Sequence, residues 1–292
     1  GTDILNNQDV GNFTTYDLPA NLPFGTTIYV SITPYNASGD ATGCEEESFT
    51  TGAQCPVGDV VLTSQAEVDD FVATYPFCTD FPGNLQIGPN SGSSDINDIS
   101  GLSVFTTVGG YAIIQHNHVL TSLTGLDALA SIEGSFTIID NPALTSLTGL
   151  NALTSVGGSA KIQQNNALTS LNGLNALASI EGYLLIQDNS ALVSLTGLDN
   201  IDPNTITDLN LEGTGNLSYC EVQSICTYLS NPSNPATISG NATGCATRAE
   251  VEAACSPSGP ACTNLTSPLN GATNVLVSTD LTWAASANAT GY

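Results

Sequence analysis

Two histidines stand two residues apart in the stretch QHNHVL, His116 and His118, and the 292-residue chain holds no others. A His-x-His pair beside a carboxylate is a donor set for a transition metal. The sequence around it recurs every 24 residues, which puts Asp140 in the column of His116 one repeat on and Asp188 two repeats further. The simpler reading makes both histidines turn residues beside Asn117, since the composition of one repeat accounts for both. Glu133 and Glu181 share another column, interrupted by Gly157. Stacked at ~4.8 Å per repeat they would stand about 9.6 Å apart, near the separation of paired glycosidase carboxylates. Exposed turn acids are the commoner case. Serine and threonine abound, but no histidine or lysine is placed to activate one. There is no Gly-x-Ser-x-Gly elbow, His-Glu-x-x-His or phosphate-binding loop. Asp95 and Asp98, or the column Asp127, Asn151, Asn175 and Asp199, offer oxygen ligands for calcium, yet no Asp-x-Asp-x-Asp-Gly loop accompanies them. Side chains capping turns explain the column. The chain therefore reads as non-enzymatic, with no catalytic residue and no required cofactor or metal.

Whatever these groups do, the elements that position them must come from an unusual composition. There are 27 acidic residues against two basic ones, Lys161 and Arg248, for a formal charge of −25. Such a field repels nucleic-acid phosphates and anionic lipid. Only 10% of residues are charged while 41% are apolar, so the chain is a folded, hydroxyl- and amide-coated protein rather than an acidic disordered tail. No apolar run is long enough to insert in a membrane. Gly1 opens no signal peptide, and the chain is expected to be a piece of something longer. The eight cysteines contain no Cys-x-x-Cys pair and lie far from the histidines in sequence. With no methionine present, an even cysteine count flanking structural units points to disulfides and an extracellular or cell-surface location.

The repeat supplies the architecture. Ile114, Ile138, Ile162 and Ile186 keep the 24-residue step, as do Leu120/144/168/192, Leu123/147/171/195 and Leu126/150/174/198. Glycines at 125, 149, 173 and 197 and asparagines at 117, 141, 165 and 189 follow the same step. An earlier copy runs through Ile96, Ile99, Gly101, Leu102, Phe105, Val108 and Gly110, and a later one begins at Leu209 and Leu211. Periods of this length, with Leu and Asn at fixed offsets, describe stacked coils that each add one short parallel strand. The Leu and Ile columns fill the core, the Asn column forms a ladder, and the Gly columns mark tight turns. Three Ser/Thr-x-x-Glu sequences, Ser64/Glu67, Ser218/Glu221 and Thr247/Glu250, predict capped helices at the two ends.

Residues 56 to 255 resemble a receptor L domain, the short right-handed β-solenoid with terminal helices found in growth-factor-receptor ectodomains and many bacterial surface proteins. Five to six L-x-x-L-x-G-L-x-x-L-x-x-I coils, the helix after the first strand, and the flanking Cys55 and Cys78 carry the resemblance. Around that core, TTYDLPANLPFGTTIYVSITPYNASGDATGCEEESFTT resembles the last strands of a fibronectin type III domain. SPLNGATNVLVSTDLTWAASANATGY resembles its first two strands, with Trp283 at the core position. The fold class expected is mainly β: a right-handed parallel β-solenoid of 24-residue coils with capping helices, flanked by partial β-sandwich segments. Residues 1–54 would be the C-terminal part of one sandwich, 55–256 the solenoid and 257–292 the N-terminal part of the next. On this organisation Cys55 is expected to join Cys78 at the first cap. Cys220 is expected to join Cys245, and Cys226 Cys255, at the last, where four cysteines allow three connectivities. Cys44 and Cys262 remain, and are expected to pair between neighbouring units or within a complete sandwich.

With the isoleucine column inward, Tyr111, Ile113 and Gln115, Thr137 and Ile139, Lys161 and Gln163, and Tyr183, Leu185 and Gln187 face outward with Ser135 and Ser159. This mixed apolar and polar strand face is the expected partner-binding surface, unless a neighbouring domain covers it. A second face carries Thr121/145/169 with Val193, and Thr124/148/196 with Asn172, beside Ser122/146/170/194. Regular threonine columns can match an ice lattice, and they also serve any surface that must be polar without charge. Six Asn-x-Ser/Thr sites, at Asn12, 36, 216, 241, 264 and 288, need no more than the abundance of these residues. The function expected is that of a repeat unit in a large secreted or cell-surface protein, acting in adhesion or as a building block of an extracellular fibre. Its partners would be neighbouring copies, head to tail, or a surface glycan or protein. The alternative is a carbohydrate- or protein-recognition module accessory to a secreted hydrolase.

Overall fold

The computed structural model describes residues 55–256 throughout. Outside that span it describes residue 33 and the short strands Thr27–Ser31, Tyr35–Asn36, Gly39–Asp40, Glu46–Thr50, Leu265–Ser267 and Thr282–Trp283. Thr27–Ser31 pairs antiparallel with Glu46–Thr50, Tyr35–Asn36 with Gly39–Asp40, and Leu265–Ser267 with Thr282–Trp283. The expected pairing of Cys44 with Cys262 lies outside the described residues.

Residues 55–256 wind as stacked coils around one core. The broad side is an eight-stranded parallel sheet in chain order: β1 Val60–Leu62, β2 Leu85–Ile87, β3 Ala112–Gln115, β4 Phe136–Ile139, β5 Ala160–Gln163, β6 Tyr183–Gln187, β7 Asp208–Glu212 and β8 Ala236–Ser239. A second parallel sheet of five two-residue strands, Asp80–Phe81 through Ser179–Ile180, closes the opposite side. Alternation in the strands decides what faces in. Ile114, Ile138, Ile162 and Ile186 are at most 2% exposed, while the residues between them are half-buried. The leucine columns at 120, 123 and 126 and their equivalents are buried in every coil. Each fully buried aliphatic side chain contributes roughly 1.5–3 kcal/mol relative to exposure.

Between the two sheets each coil turns twice at fixed points. The first is at residues 116, 140, 164 and 188, all with φ between 53° and 56° although none is glycine. The second is at Gly125, Gly149, Gly173 and Gly197, with φ between 111° and 116°. A Cβ on Gly149 would stand 2.0 Å from the Leu123 carbonyl oxygen of the coil before, so this column is glycine for both conformation and space.

A ladder of side chains runs along the core beside the first turn. Asn117, Asn141, Asn165 and Asn189 are fully buried. Asn117 Nδ2 donates to Asn141 Oδ1 at 3.1 Å, Asn141 Nδ2 to Asn165 Oδ1 at 3.1 Å, and Asn165 Nδ2 to Asn189 Oδ1 at 3.3 Å. Each amide also bonds backbone carbonyls, as Asn189 does to Ile162 and Gln187. Ser94 Oγ starts the ladder by donating to Asn117 Oδ1 at 2.7 Å. Thr214 and Asn241 continue it past the last asparagine of the regular repeat.

The ends depart from the 24-residue step. Val60 pairs with Leu85 and Leu85 with Ala112, steps of 25 and 27 residues; Leu184 with Leu209 and Leu209 with Ala236 are again 25 and 27. The longer coils accommodate helices. Helix α1, Gln65–Thr74, is capped by Ser64, whose side chain accepts the Glu67 N–H, while Glu67 accepts from Thr63. It buries Val68 and Phe71, and Phe71 leads a chain of ring contacts through Phe105 to Phe81. Gly101 sits in a 3-10 turn against the Val72 side chain of α1, not in the turn used by the later glycine column. At the other end lie α2, Gln223–Leu229, and α3, Arg248–Cys255. Thr247 and Glu250 cap α3 as their spacing predicts. Ser218 and Glu221 do not open α2. Residues 218 and 219 still follow the solenoid, bonding Val193 O and bridging Ser194, so the helix begins only at Gln223. Arg248 joins the two helices: its guanidinium pairs with Glu252 at 2.7 Å and donates to the carbonyls of Leu229, Asn231 and Asn234.

Disulfides fasten both caps. Cys55 bonds Cys78, Cys220 bonds Cys245 and Cys226 bonds Cys255. Under the chain-entropy description, closing loops of 23 to 29 residues stabilises by roughly 3 kcal/mol each.

Candidate functional site

The outer face of the broad sheet is built by the register of its strands. Ile113, Thr137, Lys161 and Leu185 stand directly opposite one another from β3 to β6. Gln115, Ile139, Gln163 and Gln187 form the adjacent column. Both columns are half-buried, as expected for side chains standing shoulder to shoulder on a flat sheet. Tyr111 and Tyr183 lie at the strand starts, and Tyr111 is 38% exposed. The Lys161 ammonium sits 5.2 Å from the Tyr183 ring centroid, a cation–π contact worth about 0.5–1 kcal/mol at such a surface. Asp208, Asn210 and Glu212 of β7 extend the face into an acidic rim.

The face is interrupted at β2, which the sequence did not announce, although Val61 of the end strand β1 in the Ile113 column is 50% exposed. Gln86 of β2 lies in the Ile113 column but is only 6% exposed. Its amide donates to Gly88 O and Asn90 Oδ1, and Asn90 Oδ1 also accepts from Gln115. The segment after β2 therefore folds back over the sheet, and Gln115 belongs to the border of the open surface. The only available signal was Gly88-Pro89, which interrupts the regular turn. A surface of this kind binds by contact; it brings no nucleophile against a base.

Both histidines follow the C-terminal end of β3, and Asp140 follows that of β4. His116 Nδ1 is 2.7 Å from Asp140 Oδ2, and His118 Nε2 is 3.2 Å from the same oxygen. Stacking brings His116 and Asp140 together as the repeat implies, whereas Asp188 remains two coils away. His118 joins them from the turn beyond buried Asn117, so the His-x-His pair and its neighbouring carboxylate do come together. Burial opposes ionisation of Asp140, but the hydrogen bonds from His116 and His118 and the electrostatic attraction of those rings outweigh it and hold its pKa below the usual carboxylate value.

The other candidate groups serve turns. Asp95 accepts the Gln65 N–H at the start of α1. Asp98 accepts that of Ser100, which lowers its pKa. Asp127 and Asp199 accept the N–H groups of Gly125 and Gly197. Glu133 and Glu181 are exposed, and Glu133 accepts from Ser131. On the second face, Ser122, Ser146, Ser170 and Ser194 accept the backbone N–H two residues on, and the Thr145 and Thr169 hydroxyls donate to the carbonyl of the coil before. Asn241 is engaged in the ladder through Leu211 O and Cys245 O, so its side-chain amide is not free to carry a glycan.

Among the described residues, no helix is long and apolar enough to cross a membrane. Residues 77–168 match the Receptor L domain family, a span that runs from the end of the first cap through β5. No curated protein and no solved structure gives a match. Over that part of the chain the parallel sheets are those of a Receptor L-like fold, a ligand-binding type of domain whose usual roles are non-catalytic.

Proposed function

We propose that the chain is a non-enzymatic binding and building unit of a large secreted or cell-surface protein, acting in adhesion or in an extracellular fibre. In this reading residues 55–256 are the complete solenoid, wound right-handed, and residues 1–54 and 257–292 are parts of fibronectin type III-like sandwiches. The unit meets neighbouring copies head to tail, through contacts that do not close into a ring. The observation that carries the binding role is the open strand face of β3 to β6. There two tyrosines, Ile113, Ile139, Leu185 and the chain's one lysine share a flat surface in an otherwise anionic molecule. The cap disulfides support an oxidising location.

The double variant Tyr111→Ala/Tyr183→Ala tests this. Aromatic anchors at interfaces commonly contribute about 2 kcal/mol, so binding to whole cells, arrayed glycans or a second copy should weaken roughly 30-fold. Thermal stability should hardly change, because both rings lie on the outer side of the sheet. A large fall in melting temperature, or unchanged binding, would overturn the assignment of this face. Loss confined to one glycan class would favour the accessory module of a secreted hydrolase over the fibre.

A further inference from the structure

We propose that His116, His118 and Asp140 form a binding site for one divalent transition-metal ion of the zinc class. Their ligand atoms, two imidazole nitrogens and a carboxylate oxygen, all lie within 4.8 Å of one another. A tetrahedral ion about 2.0–2.2 Å from each donor requires them roughly 3.3 Å apart. Of the two pairs that include Asp140, the one with His118 at 3.2 Å is already close to that value and the one with His116 at 2.7 Å falls short of it. Small side-chain rotations open the His116–Asp140 pair and close the His116–His118 pair, and each imidazole then carries its proton on the ring nitrogen that does not bind the ion.

The backbone holds this geometry without help from an ion. His116 and Asp140 have φ of 54° and 53°, the conformation that every coil adopts at this turn and that Gly213 and Gly240 adopt further along at 62° and 70°. A residue with a side chain adopts this conformation only where the surrounding structure imposes it. The coils impose it: the His116 N–H donates to Ile139 O, the Asp140 N–H to Gln163 O, and Asn117 is locked in the ladder between the two histidines. Two of the three donors are thus projected side by side from a rigid edge, and His118 closes over them from the following turn. Side-chain exposures of 26%, 42% and 33% for His116, His118 and Asp140 leave solvent access to an ion and open positions on it.

The donor set selects the class of ion. Two imidazoles and one carboxylate suit zinc, copper, nickel or cobalt, whereas magnesium and calcium prefer all-oxygen shells. The chain's net charge of −25 raises the concentration of any cation near the surface, but only this cluster offers nitrogen donors from imidazole.

Chelator-stripped full-length chain, titrated calorimetrically with Zn2+ alone, should take up one ion per chain, with an excess of Mg2+ failing to compete. His118→Ala should lower the affinity at least 10-fold. His116→Asn should do the same while keeping a residue that tolerates the left-handed turn. Gln164→Ala, one coil along the same column, should bind as the parent does. Co2+ should give the visible bands of a nitrogen-ligated ion, lost in His118→Ala; this readout remains decisive if His116→Asn folds poorly. Undiminished Zn2+ binding in both histidine variants, Mg2+ competing on equal terms, or no uptake up to about 1 mM ion, where even a site worth −4 kcal/mol would half-fill, would each overturn the site.

Discussion

Every polar atom of the Asn141 side chain is engaged inside the core. Its Nδ2 donates to Ile114 O, Ile139 O and Asn165 Oδ1, and its Oδ1 accepts both the backbone N–H and the Nδ2 of Asn117. Substitution by the similarly sized Asn141→Leu would keep the volume and strand these partners in a dry interior. A buried group left without its partner costs about 1–3 kcal/mol, and at least two are affected, so a loss of ~3 kcal/mol or more is expected. Urea denaturation should show a lower midpoint with an unchanged slope, the mark of lost stability without a change of fold. Arg248 acts on a similar principle at the surface. One planar guanidinium serves a carboxylate and three carbonyls, including that of the last residue of α2, where a positive charge also suits the helix end.

Between these side chains stand the turns, and their tolerance can be measured. Gly149→Ala would place a Cβ against Leu123 O at a φ of 112°, so it should destabilise the chain by about 2 kcal/mol or more. Gly215, with nothing within 4 Å of its ideal Cβ, is the control: Gly215→Ala should change stability by less than about 0.5 kcal/mol. Paired thermal melts of the two variants decide it, and similar losses in both would show that the column is not spatially constrained. The reason this column, the isoleucine strands and the asparagine ladder were legible in sequence is that every coil repeats the same environment. Legibility stops where a coil must hold something extra. Gly101 yields its turn to the approach of α1, and α2 starts late because residues 218 and 219 stay in the solenoid. Strand β8 hides 27 residues after β7 because α2 lies between them, though Ile238 and Asn241 keep the spacing of Ile138 and Asn141. In the candidate sites, the repeat and the His-x-His spacing named His116, His118 and Asp140 together, while the path of the turn after Asn117 sets how His118 reaches the carboxylate. The cover over Gln86 depends on a loop outside the repeat.

At the scale of the whole molecule, each coil touches chiefly the coils on either side, so stability is close to a sum over neighbours. The two basic residues are both occupied, Lys161 over Tyr183 and Arg248 at the last cap. Among the described residues the three disulfides lie only at the ends and leave residues 79–219 free of crosslinks. That distribution has a mechanical consequence. When the chain is pulled from its termini, the force runs along the hydrogen bonds of the parallel sheets, so the outermost coil peels before the next is loaded. A 24-residue coil releases about 80 Å of chain at ~3.4 Å per residue, and the uncrosslinked span releases on the order of 500 Å in all. Optical-tweezer traces should show a staircase of small, similar extensions at low force, and reducing agent should lengthen the total without altering the middle steps. A single abrupt rupture would mean that the coils share the load. With the caps sewn shut and the middle free to pay out and rewind, such a unit would behave as an extensible, self-limiting tether.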